Sequence, residues 1–318
     1  MILKTQIDTS SDQYQTNYKH HSNLVEALNK NLKSAQNLGS TKAKKKFAEK
    51  NKLLPYERIQ TLLDSQSPFI ELSSFAGFDE ESPESSQLAT CITGIGVVSG
   101  KTCMILCSNP LIKGGAINVV STQKYLRAQE ISVSLNLPCI HLTESAGADL
   151  RYMADVFLPG GQIFKNITRA SAKGIPQIGL VFGSSTAGGA YIPALCDHLV
   201  MVKNQAKVYL AGPPLVKLAT GEISSHEELG GADLHNSVSG VADYLANDDK
   251  DAIRIGRDIM ATLNIKSSHE FTPAKPPAYN PDELLGILPS DPKHQLDMYE
   301  VLARIIDDSG YNWMLLKF

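Results

Sequence analysis

Two short runs without bulky side chains are the residues whose types and spacing best suit chemistry. The first is Glu144-Ser145-Ala146-Gly147-Ala148-Asp149-Leu150, and the second is Gly183-Ser184-Ser185-Thr186-Ala187-Gly188-Gly189-Ala190-Tyr191. Each follows an apolar stretch that reads as a β-strand, at 139–143 and 178–182. Small residues let backbone N–H groups approach a ligand without Cβ interference. A helix starting at such a turn points further N–H groups and the positive end of its dipole the same way. Two such turns side by side would cradle an oxygen that gains negative charge, such as a thioester carbonyl becoming an enolate. One donor in such a hole is worth about 3–4 kcal/mol of barrier. The alternative is that both are simply tight connections packed close to a sheet.

The second run also lies one residue away from the G-x-S-x-G elbow of serine hydrolases, with Ala187 where the last glycine belongs. Ser185 would then need a base from His198, His226 or His235. His235 otherwise reads as a half-buried histidine whose hydrogen bonds orient a loop. Glu144 and Asp149 flank the first run, and capping or surface exposure is the plainer role for each. Lys113, before Gly114-Gly115, follows a strand end and could meet a phosphate. Gly94-Ile95-Gly96 sits inside a hairpin without the third glycine of a dinucleotide fingerprint, and no G-x-x-x-x-G-K-[ST] phosphate loop occurs. The five cysteines (Cys91, Cys103, Cys107, Cys139, Cys196) are odd in number and lie in apolar surroundings. Neither a disulfide framework nor a metal site is expected from them.

The elements that must position these runs follow an alternating pattern. An amphipathic helix is expected over 15–38, with Leu24, Leu28 and Leu32 at a four-residue spacing. The basic run Lys42, Lys44, Lys45, Lys46, Lys50 and Lys52 is either a solvated face or a contact with a phosphate-bearing ligand or partner. Pro55 opens a second helix ending near Asp64. Strands are expected at 69–72, 92–98 and 103–107, the last two antiparallel through a tight Ser99-Gly100 turn. An acidic surface loop covers 79–86. Helix 122–133 then precedes strand 138–143, and helix 162–172 precedes strand 176–182. Strands at 198–202 and 207–210 and a helix at 250–263 complete the series. Such alternation argues for an α/β domain with parallel strands. Residues 265–295, with six prolines, read as a semi-rigid linker. A last amphipathic helix (Met298, Val301, Leu302, Ile305, Ile306) runs to Gly310 with nothing evident to pack on.

With 30 Lys+Arg against 33 Asp+Glu, the net charge of −3 removes any case for a general nucleic-acid or membrane-surface binder. No run of about eighteen apolar residues exists to span a bilayer. Asp8 and Asp12 argue against a transit peptide, so a soluble, cytoplasmic chain is expected.

The order of several segments resembles the β subunit of biotin-dependent acyl-CoA carboxylases. The residues that carry this are Lys52-Leu53-Leu54-Pro55 with Glu57-Arg58-Ile59, Thr93–Gly100, Leu126–Ile131 and Gly174–Ile178. Thr186–Ala194, Leu210–Lys217, Gly230–His235 and Ser239–Asp243 complete the set. The methylcrotonyl-CoA and geranyl-CoA branch is most similar, with the propionyl/acetyl-CoA enzymes next. The resemblance implies a crotonase-like α/β superhelix and transfer of a carboxyl group from carboxybiotin to an acyl-CoA. In that scheme CO₂ leaves biotin, the biotin ureido oxyanion takes the acyl proton, and the thioester enolate attacks CO₂. No strong protein base is needed, only an oxyanion hole for each enolate.

By the same resemblance Gly188 and Gly189 are backbone donors to the thioester oxygen, with Ala146 and Gly147 facing the same pocket. Lys113, Gly114, Gly115, Ala187 and Ala190 are the candidate CoA-binding residues. Biotin arrives on a biotin carboxylase/biotin carrier α subunit, and the β chain forms a homo-oligomer. The first turn reads S-A-G-A-D where the methylcrotonyl branch usually has S-G-G-A-N, and Ser185 stands where that branch often has cysteine. The expected domains are a basic helical extension at 1–50, an acyl-CoA-binding domain at 51–264, the linker at 265–295, and the start of a second carboxyltransferase domain at 296–318. Two further readings stand beside the enzyme: a non-catalytic acyl-CoA-binding or subunit-assembly fragment, and a serine hydrolase of the same superfamily.

Overall fold

A computed structural model describes residues 2–37, 39–79, 89–265 and 274–310. Most of the loop expected at 79–86 lies outside the described residues. The contacts divide the chain into two compact units. One combines Met1–Lys33 with Ser268–Phe318, and the other is Ser34–Ser267. This grouping differs from the four segments drawn from sequence, because the first and last parts of the chain belong together.

The larger unit is a mixed sheet between two helical layers. Its strands are β1 (Ile70–Leu72), β2 (Cys91–Val98), β3 (Lys101–Ser108), β4 (Cys139–Ser145), β5 (Gln177–Thr186), β6 (His198–Val202), β7 (Lys207–Tyr209) and β8 (Tyr244–Ala246). They run in the order β1-β2-β3-β4-β5-β6-β8, with β7 also paired to β5. The β1-β2-β3 pairs are antiparallel and every later pair is parallel. The β2–β3 turn is as expected: Ser99 and Gly100 both have positive φ, the geometry that fits strand twist in a two-residue hairpin. Asp64 fastens it by accepting from both turn N–H groups, at 2.8 and 2.7 Å.

Helices cover both faces, which explains the near-continuous apolar runs of the central strands. In β3, Cys103, Ile105 and Cys107 enter one core cluster, while Met104 and Leu106 enter the other. The first cluster packs under α3 (Pro55–Leu62) and α10 (Asp249–Thr262). The second packs under α4 (Val119–Ser134), α5 (Met153–Ala172) and α6 (Gly188–Ala194). Between β7 and β8 lie helices the sequence pattern missed: α7 (Pro213–Thr220), α8 (His226–Gly230) and α9 (Ala232–Leu234), the last continuing into a wider turn to Ser239. They are short, so no apolar period has room to develop.

α2 (Thr41–Glu49) buries none of its residues, so the lysines on it form a solvated face. α5 starts nine residues earlier than expected and runs through Pro159. Pro159-Gly160-Gly161 reads as a breaker, yet Val156, Ile163, Ile167 and Ala170 are all buried, and that packing carries the helix across it. β5 runs four residues beyond Phe182, because Ser184, Ser185 and Thr186 pair with β7.

In the smaller unit, α1 (Asp12–Gln36) buries Tyr14 and Asn17, while Leu24 and Leu28 of the expected stripe are exposed. Asn17 donates to Gly286 O at 3.2 Å and accepts from Ser290 N at 3.1 Å. The expected linker therefore holds structure: α11 (Leu284–Ile287) buries Gly286 and Ile287. The last helix is shorter than expected, α12 (Met298–Leu302), followed by a tight turn at Asp307–Ser309. Its packed side is polar. Glu300 and Arg304 are buried, whereas Met298, Tyr299, Leu302 and Ile305 are exposed. No helix among the described residues is long and apolar enough to cross a membrane.

Candidate active site

The two small-residue turns meet. Gly147 has φ +89°, and a Cβ there would lie 2.9 Å from Thr186 O and 3.3 Å from Ala187 Cβ. A Cβ on Gly189 would sit 3.1 Å from Ser145 Oγ. Glycine is thus required at 147 for the turns to close on each other, and at 189 a Cβ would fit only if Ser145 gave way by a few tenths of an ångström. Behind the first turn stands the Lys113-Gly114-Gly115 segment: Ala146 N donates to Gly114 O at 2.9 Å, and Ser145 Oγ donates to Gly115 O at 2.8 Å.

Ala146 N–H is engaged by Gly114, and Gly147 N–H points to Ser145 Oγ at 3.2 Å. Ala187 N–H is engaged by Tyr209 O at 3.2 Å. The Ala146 and Gly147 N–H groups are therefore engaged within the first turn, which walls the pocket at Ala146. Gly188 and Gly189 open α6, where N–H groups have no intrahelical acceptor. Ala187, immediately before them, holds φ +49° and ψ −125°, a conformation costly for a residue with a Cβ and of the kind found at functional turns.

Beside these turns lies a cleft of about 800 Å³. Ala146, Ala187 and Gly188 line it, together with Phe157, Phe164 and Tyr191. Its full lining contains no Asp, Glu, Lys, Arg or His. Gly160 and Gly161 also face it, and nothing lies within 4 Å of where their Cβ atoms would be. Sequence reading missed the α5 contribution because Pro159-Gly160-Gly161 masked the helix. The unbroken apolar spacing around that tripeptide was the available signal.

The other candidates are placed as follows. Ala190, on α6, is turned into the core and does not line the cleft. Lys113 is half exposed, with Nζ 3.9 Å from Asp149 Oδ2. Asp149 caps the short turn after β4 and takes Arg151 in a fork, at 2.9 and 2.5 Å. Those guanidinium hydrogen bonds hold its carboxyl down to about 2. Glu144 is neither a cap nor exposed: it pairs with Lys52 and, at 3.0 Å, with Arg58 Nη2. Its side chain follows the strand alternation onto the α3/α10 face, opposite Ser145.

Ser185 is fully buried within β5, and its hydroxyl has no hydrogen-bond partner among the described residues. His226 bonds Tyr209 at 2.8 Å, His235 bonds Val208 O and Ser239, and His198 lies tilted against the Tyr244 ring. None is hydrogen-bonded to Ser185, so the elbow reading has no base. His235 is half-buried and satisfied, as expected. No group of three or more potential metal ligands occurs among the described residues.

Residues 46–315 match the carboxyl transferase domain family. A biotin-dependent 3-methylcrotonyl-coenzyme A carboxylase beta1 subunit of Mycobacterium tuberculosis is 44% identical, over 94% of this chain and 57% of its own length. The geranyl-CoA carboxylase β subunit of P. aeruginosa superposes with TM-score 0.83 at 41% identity, covering 98% of this chain and 58% of that one. Transcarboxylase 12S, a hexamer solved with methylmalonyl-coenzyme A, superposes with TM-score 0.71 at 27% identity, over 92% of this chain and 58% of its own. The chain thus spans less than three fifths of these relatives' length, and their crotonase-like fold is the fold of the larger unit.

Proposed function

Since the chain belongs to the carboxyl transferase domain family, we propose that it provides the acyl-CoA side of a carboxyltransferase. Its reaction moves a carboxyl group from carboxybiotin to an acyl-CoA. One observation carries the reading: a pair of glycine turns meets beside an apolar cleft that holds no charged side chain.

The thioester oxygen lies against the start of α6 and accepts from Gly188 and Gly189. As the acyl carbon loses its proton, negative charge grows on that oxygen. Fixed N–H donors in an apolar cleft stabilise it more than water would. Ala146 and Gly147 set the opposite wall. No lining side chain offers a carboxylate, amine or imidazole, so the base is not among them. Biotin, carried by a partner α subunit with biotin carboxylase, supplies the carboxyl group. In this reading Lys113, half exposed beside Gly114 and Gly115, supplies a charge for a CoA phosphate. The apolar acyl chain lies along Phe157, Phe164 and Tyr191 over the open floor at Gly160 and Gly161. The hexameric transcarboxylase supports a homo-oligomer of β chains, and the β-subunit relatives support a partner subunit.

Incubating the purified chain with an acyl-CoA and carboxybiotin tests this. Carboxylated thioester is the expected product. Acyl-CoA binding without product supports the second reading, an acyl-CoA-binding fragment. Neither binding nor product overturns both.

A further inference from the structure

Glu144 stands where the β4–β5 pairing changes register. Thr143 lies opposite Val181, but Ser145 lies opposite Ser185, so two steps of β4 span four of β5. Both site turns emerge just beyond this irregularity. The Glu144 side chain lies across it: a Cβ on Gly183 would collide with the Glu144 carboxyl group, so glycine there makes room for it. Arg58, fully buried on α3, donates to Glu144 Oε2 at 3.0 Å and to Asp249 Oδ2 at 3.0 Å, with its guanidinium 4.3 Å from the Phe182 ring centroid. Lys52 pairs with the other Glu144 oxygen. On the main-chain side, the Glu144 carbonyl abuts Gly115, where φ is +72° and a Cβ would collide with it.

Such a cluster is costly. Burial lowers the Lys52 pKa despite Glu144, and burial raises that of Asp249 despite Arg58. Arg58 Nη1 and Asp249 Oδ1 lack hydrogen-bond partners among the described residues. Apolar residues would fill the same space at lower desolvation cost. Ionic contacts, unlike apolar ones, are directional and fix a single register. A polar cleft of about 480 Å³, lined in part by Lys50, Lys52, Glu144 and Lys207, keeps one side of the cluster open to solvent.

We propose that Glu144, clamped by Arg58 and Lys52, is a positioning residue that fixes the Ala146–Gly147 wall against the Thr186–Gly189 turn and so sets the geometry of the thioester-oxygen site. This rests on the acyl-CoA reading above. Glu144→Gln removes the clamp's charge while keeping its shape, and Lys52→Met loosens the same carboxylate from the other side.

The experiment compares an acyl-CoA with its thioether analogue, which lacks the carbonyl oxygen, by calorimetry on the whole chain. It also records the infrared stretch of a ¹³C-labelled thioester carbonyl in the bound state. The wild type binds thioester over thioether and shifts the carbonyl stretch to lower frequency. Glu144→Gln and Lys52→Met should each lose about fivefold of that preference, the scale of one weakened hydrogen bond. They should also lose part of the shift, while thioether affinity is kept. Glu283→Gln, in the smaller unit, should change neither. Equal loss of thioester and thioether binding would show a merely structural role and overturn the proposal, as would an unchanged carbonyl shift. No shift in the wild type would instead overturn the acyl-CoA reading itself.

Discussion

Each unit is organised around one fully buried arginine, and the two are satisfied very differently. In the smaller unit Arg304 grips Glu283 through Nε and Nη2, at 2.9 and 2.6 Å, and Glu300 through Nη1 at 2.8 Å. Thr5 and Gln6 complete the Glu300 carboxylate at 2.6 and 2.7 Å. Burial alone would raise the Glu300 pKa, yet the hydrogen bonds from Gln6, Thr5 and Arg304 outweigh it and hold it low. In the larger unit the balance reverses: burial dominates at both Asp249 and Lys52, and Nη1 of the guanidinium has no hydrogen-bond partner among the described residues. The saturated cluster ties chain segments 295 residues apart. The unsaturated one borders the turns proposed to do chemistry. Incomplete satisfaction beside a site is the pattern expected where geometry is kept at a cost in stability.

The largest effect predicted by this contrast is at Arg304. Arg304→Met leaves Glu283 and Glu300 without their cation, and should destabilise the smaller unit by about 3–5 kcal/mol. Urea denaturation, with hydrogen exchange to localise the loss to 2–33 and 274–310, measures it. A loss below about 1 kcal/mol would remove the claim that this cluster is saturated.

Acid should separate the units next. In the larger unit His141 is buried, accepting from Tyr125 at Nδ1 and donating through Nε2 to Gln177 Oε1 at 3.0 Å. Burial pushes its pKa down from 6.5 to about 4. The unfolded chain therefore binds this proton first, and stability falls as pH drops from about 6.5 to 4, by roughly 3 kcal/mol. Glu300 has a lowered pKa, so its contribution persists until pH falls below its unfolded value of about 4.3. Hydrogen exchange at pH 7, 5.5 and 4.5 should show protection falling in the β4–β5 core while the Glu300–Arg304 segment holds. The reverse order would break the comparison.

How much of this was legible in the sequence depends on the range of the interactions. The strand alternation, the Ser99-Gly100 hairpin and the pairing of small-residue turns follow from local patterns, and all are present. Glu144 was not legible. Its partners, 86 and 92 residues away in sequence, meet it only through the sheet. The α5 wall of the cleft was hidden by Pro159-Gly160-Gly161, where tertiary packing overrides breaker chemistry. The Leu24–Leu28 stripe misled for the opposite reason, because a regular period does not guarantee a surface to bury it. The structure of 274–295 was hidden by its prolines, since its order comes from contacts with residues 2–33 rather than from its own periodicity.

The smallest effect sharpens the contrast. Asp249→Asn keeps an acceptor for Leu53 N–H, which Asp249 takes at 3.0 Å, and removes a carboxylate already disfavoured by burial. Its cost in urea denaturation should be about 1 kcal/mol or less. Glu300→Gln, removing a carboxylate held in its charged form by three donors, should cost more. Equal costs would mean the two clusters do not differ.

The most direct test of the central claim is the affinity of an apolar acyl-CoA for the wild-type chain and for Gly188→Val, measured by calorimetry alongside circular dichroism. A Cβ at Gly188 meets only Phe164 at 3.7 Å, an ordinary contact, so the variant should fold while its added methyls intrude on the oxygen site. The account predicts wild-type binding and loss of at least tenfold in the folded variant, the scale of about one lost charge-assisted hydrogen bond. Unchanged affinity in a folded Gly188→Val chain would contradict it.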